Sequence, residues 1–155
     1  MCIKQIVEIS KALLTPLIAM VTVYIAWQQW KTNRQKLNLD RYDRRLHVYE
    51  EVRRILSIIG RDGKVSTEDL FKFYTSVSEA DFLFGPEIRK YIDEIYSHCT
   101  KLGRWNAEYR DRTQEKPEDY DHGNVVDEKR KELKWLIDQF GPAKEIFRKY
   151  LDLRR

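Results

Sequence analysis

One uncharged segment near the N-terminus constrains this chain more than any other feature. Residues 12–30, ALLTPLIAMVTVYIAWQQW, carry no charged side chain over 19 positions. As a helix this run would rise roughly 28 Å, close to the ~30 Å of a bilayer's hydrocarbon core. Aromatic side chains gather at its C-terminal end, as in an interfacial belt. The segment therefore predicts a single membrane-anchoring helix over residues 1–30.

A basic collar, residues 31–45, follows this run directly. It holds six basic and two acidic side chains, a net charge of +4, and six Lys/Arg after the run against two before it predict that the C-terminal part is cytoplasmic. The pattern predicts a single-pass protein of a bacterial inner membrane whose collar contacts anionic membrane lipids. The side chains predicted at the membrane interface are Tyr24, Trp27, Trp30, Lys31, Arg34, Lys36, Arg41, Arg44 and Arg45.

Two other interpretations of the uncharged segment were weighed. A cleaved signal peptide is disfavoured because bulky and then basic residues follow the run, where a cleavage site needs small ones. A buried helix of a soluble protein stays open, because the segment is short and Pro16 interrupts its first turns.

Small and polar residues recur at alternating spacings of three and four within and just after the segment. On a helix such residues share one stripe, through which backbones can approach closely. We interpret the stripe as a face for self-association into a homo-oligomer, or in a sharper version as the lining of a pore. Its members are Ala12, Thr15, Ala19, Thr22, Ala26, Gln29 and Asn33.

The rest of the chain, residues 31–155, predicts a cytoplasmic bundle of about five helices and an all-α fold. Apolar residues recur at three and four positions, and no segment alternates as a strand would. Ser66 with Asp69 predicts one helix start, and Gly85-Pro86-Glu87 predicts another. The predicted helices are a long juxtamembrane helix 31–60, continuous with the anchor, and helices near 66–78, 86–110, 125–140 and 142–152.

The sequence contains few motifs that indicate catalysis or ligand binding. It has no phosphate-binding glycine loop, no metal-ligand spacing and no cofactor motif, and its two cysteines form no disulfide pattern. We therefore expect no enzyme, cofactor or metal. The weak exception is Arg41 with His47, which match the R-x(4–6)-H spacing of HEPN ribonucleases, where histidine serves as acid or base and arginine stabilises phosphate charge.

Two stretches resemble motifs of a known group. Residues 24–56, YIAWQQWKTNRQKLNLDRYDRRLHVYEEVRRIL, and residues 82–95, FLFGPEIRKYIDEI, are similar to signatures of small bacterial membrane-anchored proteins of mostly unknown role. The layout more distantly resembles the single-span accessory proteins of type VI-B CRISPR systems. That resemblance implies a divergent HEPN-like helical domain, assembly into membrane pores and a part in antiviral defence.

Three functions follow as hypotheses. The first is an oligomeric inner-membrane protein that forms a pore or perturbs the membrane as an accessory or effector of antiviral defence. The second is a passive membrane-tethered scaffold whose helical bundle binds a protein or RNA partner. The third is a HEPN-type ribonuclease that uses Arg41 and His47.

Overall fold

Helix is the only regular element in the part of the chain that the structure describes. A computed structural model describes residues 3–111, 113–115 and 117–152, and for residues 3–13 and 15 it describes the backbone alone. The helices are α1 (Ile3–Asp62), α2 (Thr67–Ser76), α3 (Ala80–Leu83), α4 (Pro86–Glu108), α5 (His122–Asp138) and α6 (Phe140–Arg148). The all-α prediction is confirmed, and the short α3 is an element that the sequence pattern did not indicate.

Local sequence signals set several helix ends. Gly63, with φ of +64°, follows the last residue of α1, and its N–H donates to the Ile59 carbonyl at 2.8 Å. This is the left-handed cap that glycine adopts without steric cost. The Ser66 hydroxyl accepts the Asp69 N–H at 3.0 Å, which confirms the predicted cap of α2.

The break between the last two helices falls earlier than expected. The sequence placed it at Gly141-Pro142, but α5 ends at Asp138 and α6 begins at Phe140. Pro142 therefore lies in the first turn of α6. Proline is tolerated there because the N–H groups of a first turn have no acceptor within the helix.

The chain divides into two compact units, residues 1–41 and residues 42–155. In the first unit, every residue from 14 to 41 whose side chain is described is exposed. The second unit contains the hydrophobic core, to which α1 contributes from Val48 to Ile59 and α4 from Ile88 to Leu102. Its largest fully buried side chains are Phe73, Phe147, Ile55, Leu56, Ile59, Ile88, Ile95, Leu102, Leu136, Val48, Val52 and Cys99.

The membrane prediction is corrected by the structure. Among the residues whose side chains are described, no helix carries a stretch long and apolar enough to cross a membrane. In this part of α1 the apolar character ends at Trp27, because Gln28 and Gln29 follow it and Lys31 carries a charge. The predicted transmembrane helix, and with it the single-pass inner-membrane location, is therefore wrong.

The start of α4 is tied to the C-terminal part of the chain by one tyrosine. The Tyr150 hydroxyl accepts the Gly85 N–H at 3.2 Å and donates to Glu87 Oε1 at 2.6 Å, while Lys149 pairs with the same carboxylate. The Phe84 ring contacts Tyr150 edge-on, with ring centroids 5.2 Å apart. The turn predicted as a helix start is thus also a tertiary contact.

We expect Gly85→Ala to destabilise the second unit. A Cβ at Gly85 would lie 2.7 Å from the Tyr150 hydroxyl and would also clash with the Glu87 carboxylate, so the tie must shift. Overpacking of this kind costs about 1–3 kcal/mol, which thermal unfolding followed by circular dichroism would detect. Gly103→Ala is the matched control: its Cβ meets nothing within 4 Å, and alanine inside α4 should stabilise by ~0.5–1 kcal/mol. Equal melting temperatures for the two variants would contradict the prediction.

The contacts of Tyr150 and Lys149 with Glu87 make the stability of the second unit depend on pH in the acid range. Hydrogen bonds from Lys149 and Tyr150 lower the pKa of Glu87 to about 2 from the 4.5 of a free glutamate. A lowered pKa in the folded state means that the stabilisation is complete above pH 4.5 and is lost as the pH falls toward 2. Urea unfolding between pH 6 and pH 2 should therefore show a steeper loss of stability for the native chain than for Glu87→Gln. Parallel pH profiles for the two proteins would refute this assignment.

Candidate functional site

The apolar segment, which we define as residues 14–30 of α1, is the most unusual surface in the described chain. Its large apolar side chains are all between 48% and 69% exposed. At 100° per residue they occupy about 240° of the helix circumference, and smaller side chains fill the remaining sector. They are Leu14, Leu17, Ile18, Met20, Val21, Val23, Tyr24, Ile25, Trp27 and Trp30. A helix that is apolar all round is normally buried, and an exposed apolar surface of this extent is typical of interaction sites.

The predicted stripe of small residues lies on this segment and just beyond it. Ala12 and Thr15 fall outside the described side chains, and the other members are exposed within a sector of about 100° on the helix: Ala19, Thr22, Ala26, Gln29 and Asn33. The Thr22 hydroxyl donates to the Ile18 carbonyl at 2.8 Å, so its hydrogen is used within the helix. Thr22 therefore presents mainly its methyl group, which suits helix packing better than a polar lining.

Aromatic and basic side chains continue along α1 after the stripe. The Lys31 ammonium lies 5.7 Å from the Trp27 ring centroid, and the Arg34 guanidinium lies 5.4 Å from that of Trp30. Both distances fit cation–π contacts, which hold these cations against the helix. Lys36 and Arg41 are exposed as well. Contact of these residues with anionic lipid stays a prediction.

Arg44 and Arg45, also predicted at the membrane interface, make contacts within the second unit. Arg44 pairs with Glu79 at 3.4 Å. Arg45 donates through Nε to the Leu83 carbonyl at 3.0 Å and through Nη1 to the Tyr150 carbonyl at 3.3 Å. Arg45 is therefore a structural residue that holds two chain segments beside α1, and its place at a membrane interface stays a prediction.

The predicted Arg41 and His47 are both exposed on α1, in the first and the second unit respectively. His47 borders a groove of about 500 Å³ whose wall includes the hydroxyl side chains of Thr75, Ser76 and Ser78. Among the described residues, no side chain hydrogen-bonds the His47 imidazole to orient it as an acid or base. The HEPN-type ribonuclease function stays a prediction.

A different histidine has the partners that His47 lacks. His98 Nδ1 is hydrogen-bonded to the Glu132 carboxylate, and its ring stacks on Trp135 with centroids 3.6 Å apart. Glu132 is the one charged side chain that is buried in the described part of the chain. The sequence could not reveal this pair, because 34 residues separate its members on α4 and α5. No described hydrogen bond joins His98 to a nucleophile, so the cluster links two helices rather than forming a catalytic dyad.

Metal and thiol chemistry find no support in the described residues. No group of three His, Cys, Asp or Glu side chains there is placed to hold a metal ion. Cys99 is fully buried, and burial raises the pKa of its thiol to about 12, so it is not a reactive nucleophile. No family model, curated protein or solved structure matches this chain. The resemblance to membrane-anchored and CRISPR accessory proteins, and the role in antiviral defence that it implies, stay predictions.

Removal of His98 should destabilise the α4–α5 pair strongly. His98→Ala leaves the buried Glu132 carboxylate without its hydrogen-bond partner, and an unsatisfied buried polar group costs about 1–3 kcal/mol, and more when it is charged. Urea unfolding at neutral pH measures the loss. The control is Arg104→Ala, which removes an exposed pair with Glu108 on α4 and should cost less than about 1 kcal/mol. Similar losses in both variants would show that the buried pair contributes no more than a surface one.

Proposed function

We propose that this chain is a self-assembling protein in which the apolar segment of α1 is buried between copies of the same chain. Assembly would bring several copies of the second unit together. The observation that carries the proposal is the exposure of ten large apolar side chains on one helix. Water penalises such a surface, and a partner that covers it recovers the free energy of apolar burial.

The size of the surface fits a stable interface. Full burial of a large apolar side chain removes roughly 60–120 Å² of apolar area from water. Ten partly exposed side chains therefore offer on the order of 500–1,000 Å², near the ~800 Å² that each partner contributes to a standard interface. A single surface-exposed leucine would need no such explanation, but a continuous segment of this size does.

The composition of the segment avoids the free-energy cost of burying charged side chains when the helix packs against a partner. No charged residue occurs between Lys11 and Lys31, so association does not desolvate an ion along this stretch. The small side chains of Ala19, Thr22 and Ala26 recur at spacings of three and four, which lets two helices approach closely along one seam. A second copy is the partner that always carries the matching seam, as in the isologous interfaces of homo-oligomers.

A charge introduced into the segment should dissociate the assembly. We expect the purified chain to sediment as an oligomer in lipid-free buffer, and Ala26→Glu to shift it to monomer, because an unpaired carboxylate would have to be buried in the interface. Analytical ultracentrifugation at micromolar concentration measures this. Phe82→Glu is the matched control, since it places the same charge on the most exposed phenylalanine of the second unit, at 90%.

Two results would refute self-assembly through this segment. One is a native chain that is monomeric at all concentrations tested. If that monomer is retained by phospholipid vesicles, the segment belongs to a lipid surface instead. The other is an oligomer that Phe82→Glu dissociates and Ala26→Glu does not, which would place the interface on the second unit.

A further inference from the structure

Two tryptophans and three cations share one face of α1 where the apolar segment ends and the basic collar begins. At 100° per residue they lie within a sector of about 100°, together with one asparagine, and all of these side chains are exposed. We infer that this face binds single-stranded nucleic acid, with bases stacked on the tryptophans and phosphates held by the cations. The inference goes beyond self-assembly and does not depend on it. We define the Trp–cation face as Trp27, Trp30, Lys31, Arg34, Asn38 and Arg41.

Charges of opposite sign are separated around the circumference of α1 in this stretch. Asp40 is the one acidic residue between Trp27 and Arg41, and it lies roughly 120° from Arg34. Lys36 lies about 160° from Arg34, on the side of Asp40. Arg34 and Arg41 point in nearly the same direction, two turns or roughly 10 Å apart along the helix axis. The Trp–cation face is therefore positive along its length, which is the charge that binds a phosphate backbone.

Each tryptophan of the face combines an exposed ring with an adjacent cation. Trp27 and Trp30 are 55% and 58% exposed, and Lys31 and Arg34 make the cation–π contacts described above. An unpaired base can stack on the exposed part of either ring while the neighbouring cation meets a phosphate. Stacking on aromatic side chains beside cations is how proteins bind single strands with little dependence on sequence. A duplex keeps its bases stacked on one another, so it cannot use the rings in this way.

The angular arrangement favours a nucleic acid over a lipid surface. A helix that lies on a membrane sets its aromatic and aliphatic side chains on one side and its Lys and Arg on the opposite, polar side. Here three of the four cations between Trp27 and Arg41 share the sector of the tryptophans. Leu39, which is 55% exposed and suited to lipid contact, lies about 140° from Arg34. The amide of Asn38, within the face, can hydrogen-bond to phosphate or base atoms.

The Trp–cation face and the stripe of small residues lie on different sides of α1. The centres of the two surfaces are about 110° apart around the helix. Two copies that pack through Ala19, Thr22 and Ala26 therefore leave Arg34 and Arg41 accessible to a strand. Nucleic-acid binding and self-assembly are thus compatible, and each can be measured without the other.

Fluorescence anisotropy of a labelled single strand of about 12 nucleotides tests the inference on the full chain. We expect the single strand to bind, and a duplex of the same sequence to bind several-fold more weakly. Trp27→Ala and Trp30→Ala should each weaken single-strand binding by roughly 5- to 100-fold, because each removes the stacking of one base. Leu39→Ala is the matched control, since it removes an exposed apolar side chain from another side of the same helix and should bind like the native chain.

The salt dependence of binding tests the cations separately. Arg34→Gln and Arg41→Gln should each reduce the slope of log affinity against log salt concentration by about 0.7, the value for one phosphate contact to a single strand. Lys36→Gln is the matched control: it removes the same charge from the opposite side of α1 and should leave the slope unchanged. An equal reduction in all three variants would overturn the inference, because binding would then follow net charge rather than the Trp–cation face.

Other outcomes also overturn the inference. Equal affinity for the single strand and the duplex, or tryptophan variants that bind like the native chain, would show that stacking contributes nothing. Retention by phosphatidylserine vesicles without binding of the oligonucleotide would assign the face to lipid. Sedimentation of the same samples separates this inference from the proposed function. A native oligomer that binds no strand overturns the inference alone, whereas a monomer that binds the single strand refutes self-assembly and leaves the inference intact.

Discussion

Burial of one face of α1 organises the second unit. Val52, Ile55 and Ile59 are fully buried, and the core side chains of α4 pack into the same cluster. The same helix has no buried residue in its described part before position 42. A helix of this length gains little stability from its backbone alone, since packing of an apolar face supplies most of it in proteins. The two parts of α1 therefore differ in their packing. The part from Val48 to Ile59 packs into the hydrophobic core, and the described side chains before position 42 are exposed.

The second unit is secured by a few polar contacts as well as by its core. Tyr150 ties the C-terminal region to the start of α4, and Arg45 ties it to α1 through backbone carbonyls. His98 and Glu132 join α4 to α5 within an otherwise apolar region. Each of these contacts satisfies groups that would be costly to bury alone. These contacts therefore link the C-terminal region, α1, α4 and α5 within the second unit.

Helix-periodic sequence patterns identified the fold class but not every buried face. The core side of α4, from Ile88 to Leu102, follows directly from its three- and four-residue spacing. In α2 the spacing is ambiguous, because Phe71, Phe73 and Tyr74 are all apolar. The structure buries Phe73 and leaves Phe71 70% exposed, a choice that only the position of α4 decides. The predicted position of the break between α5 and α6 was wrong for a similar reason. Proline is compatible with the first turn of a helix as well as with a helix end, so Pro142 did not fix the boundary.

The sequence by itself determined that this chain is helical, that its first helix is uncharged over residues 12–30, and that a basic collar follows. Those properties depend on local spacing and composition, which a sequence states directly. Only the tertiary structure decided that Arg45 is an internal tie and that Glu132 pairs with His98. Both findings depend on contacts between residues that are 34 to 105 positions apart in the sequence. Helical periodicity indicates only contacts between near neighbours, so it could not predict them. The apolar segment itself was visible from the sequence, but its exposure on every side appeared only when the packing of the rest was known.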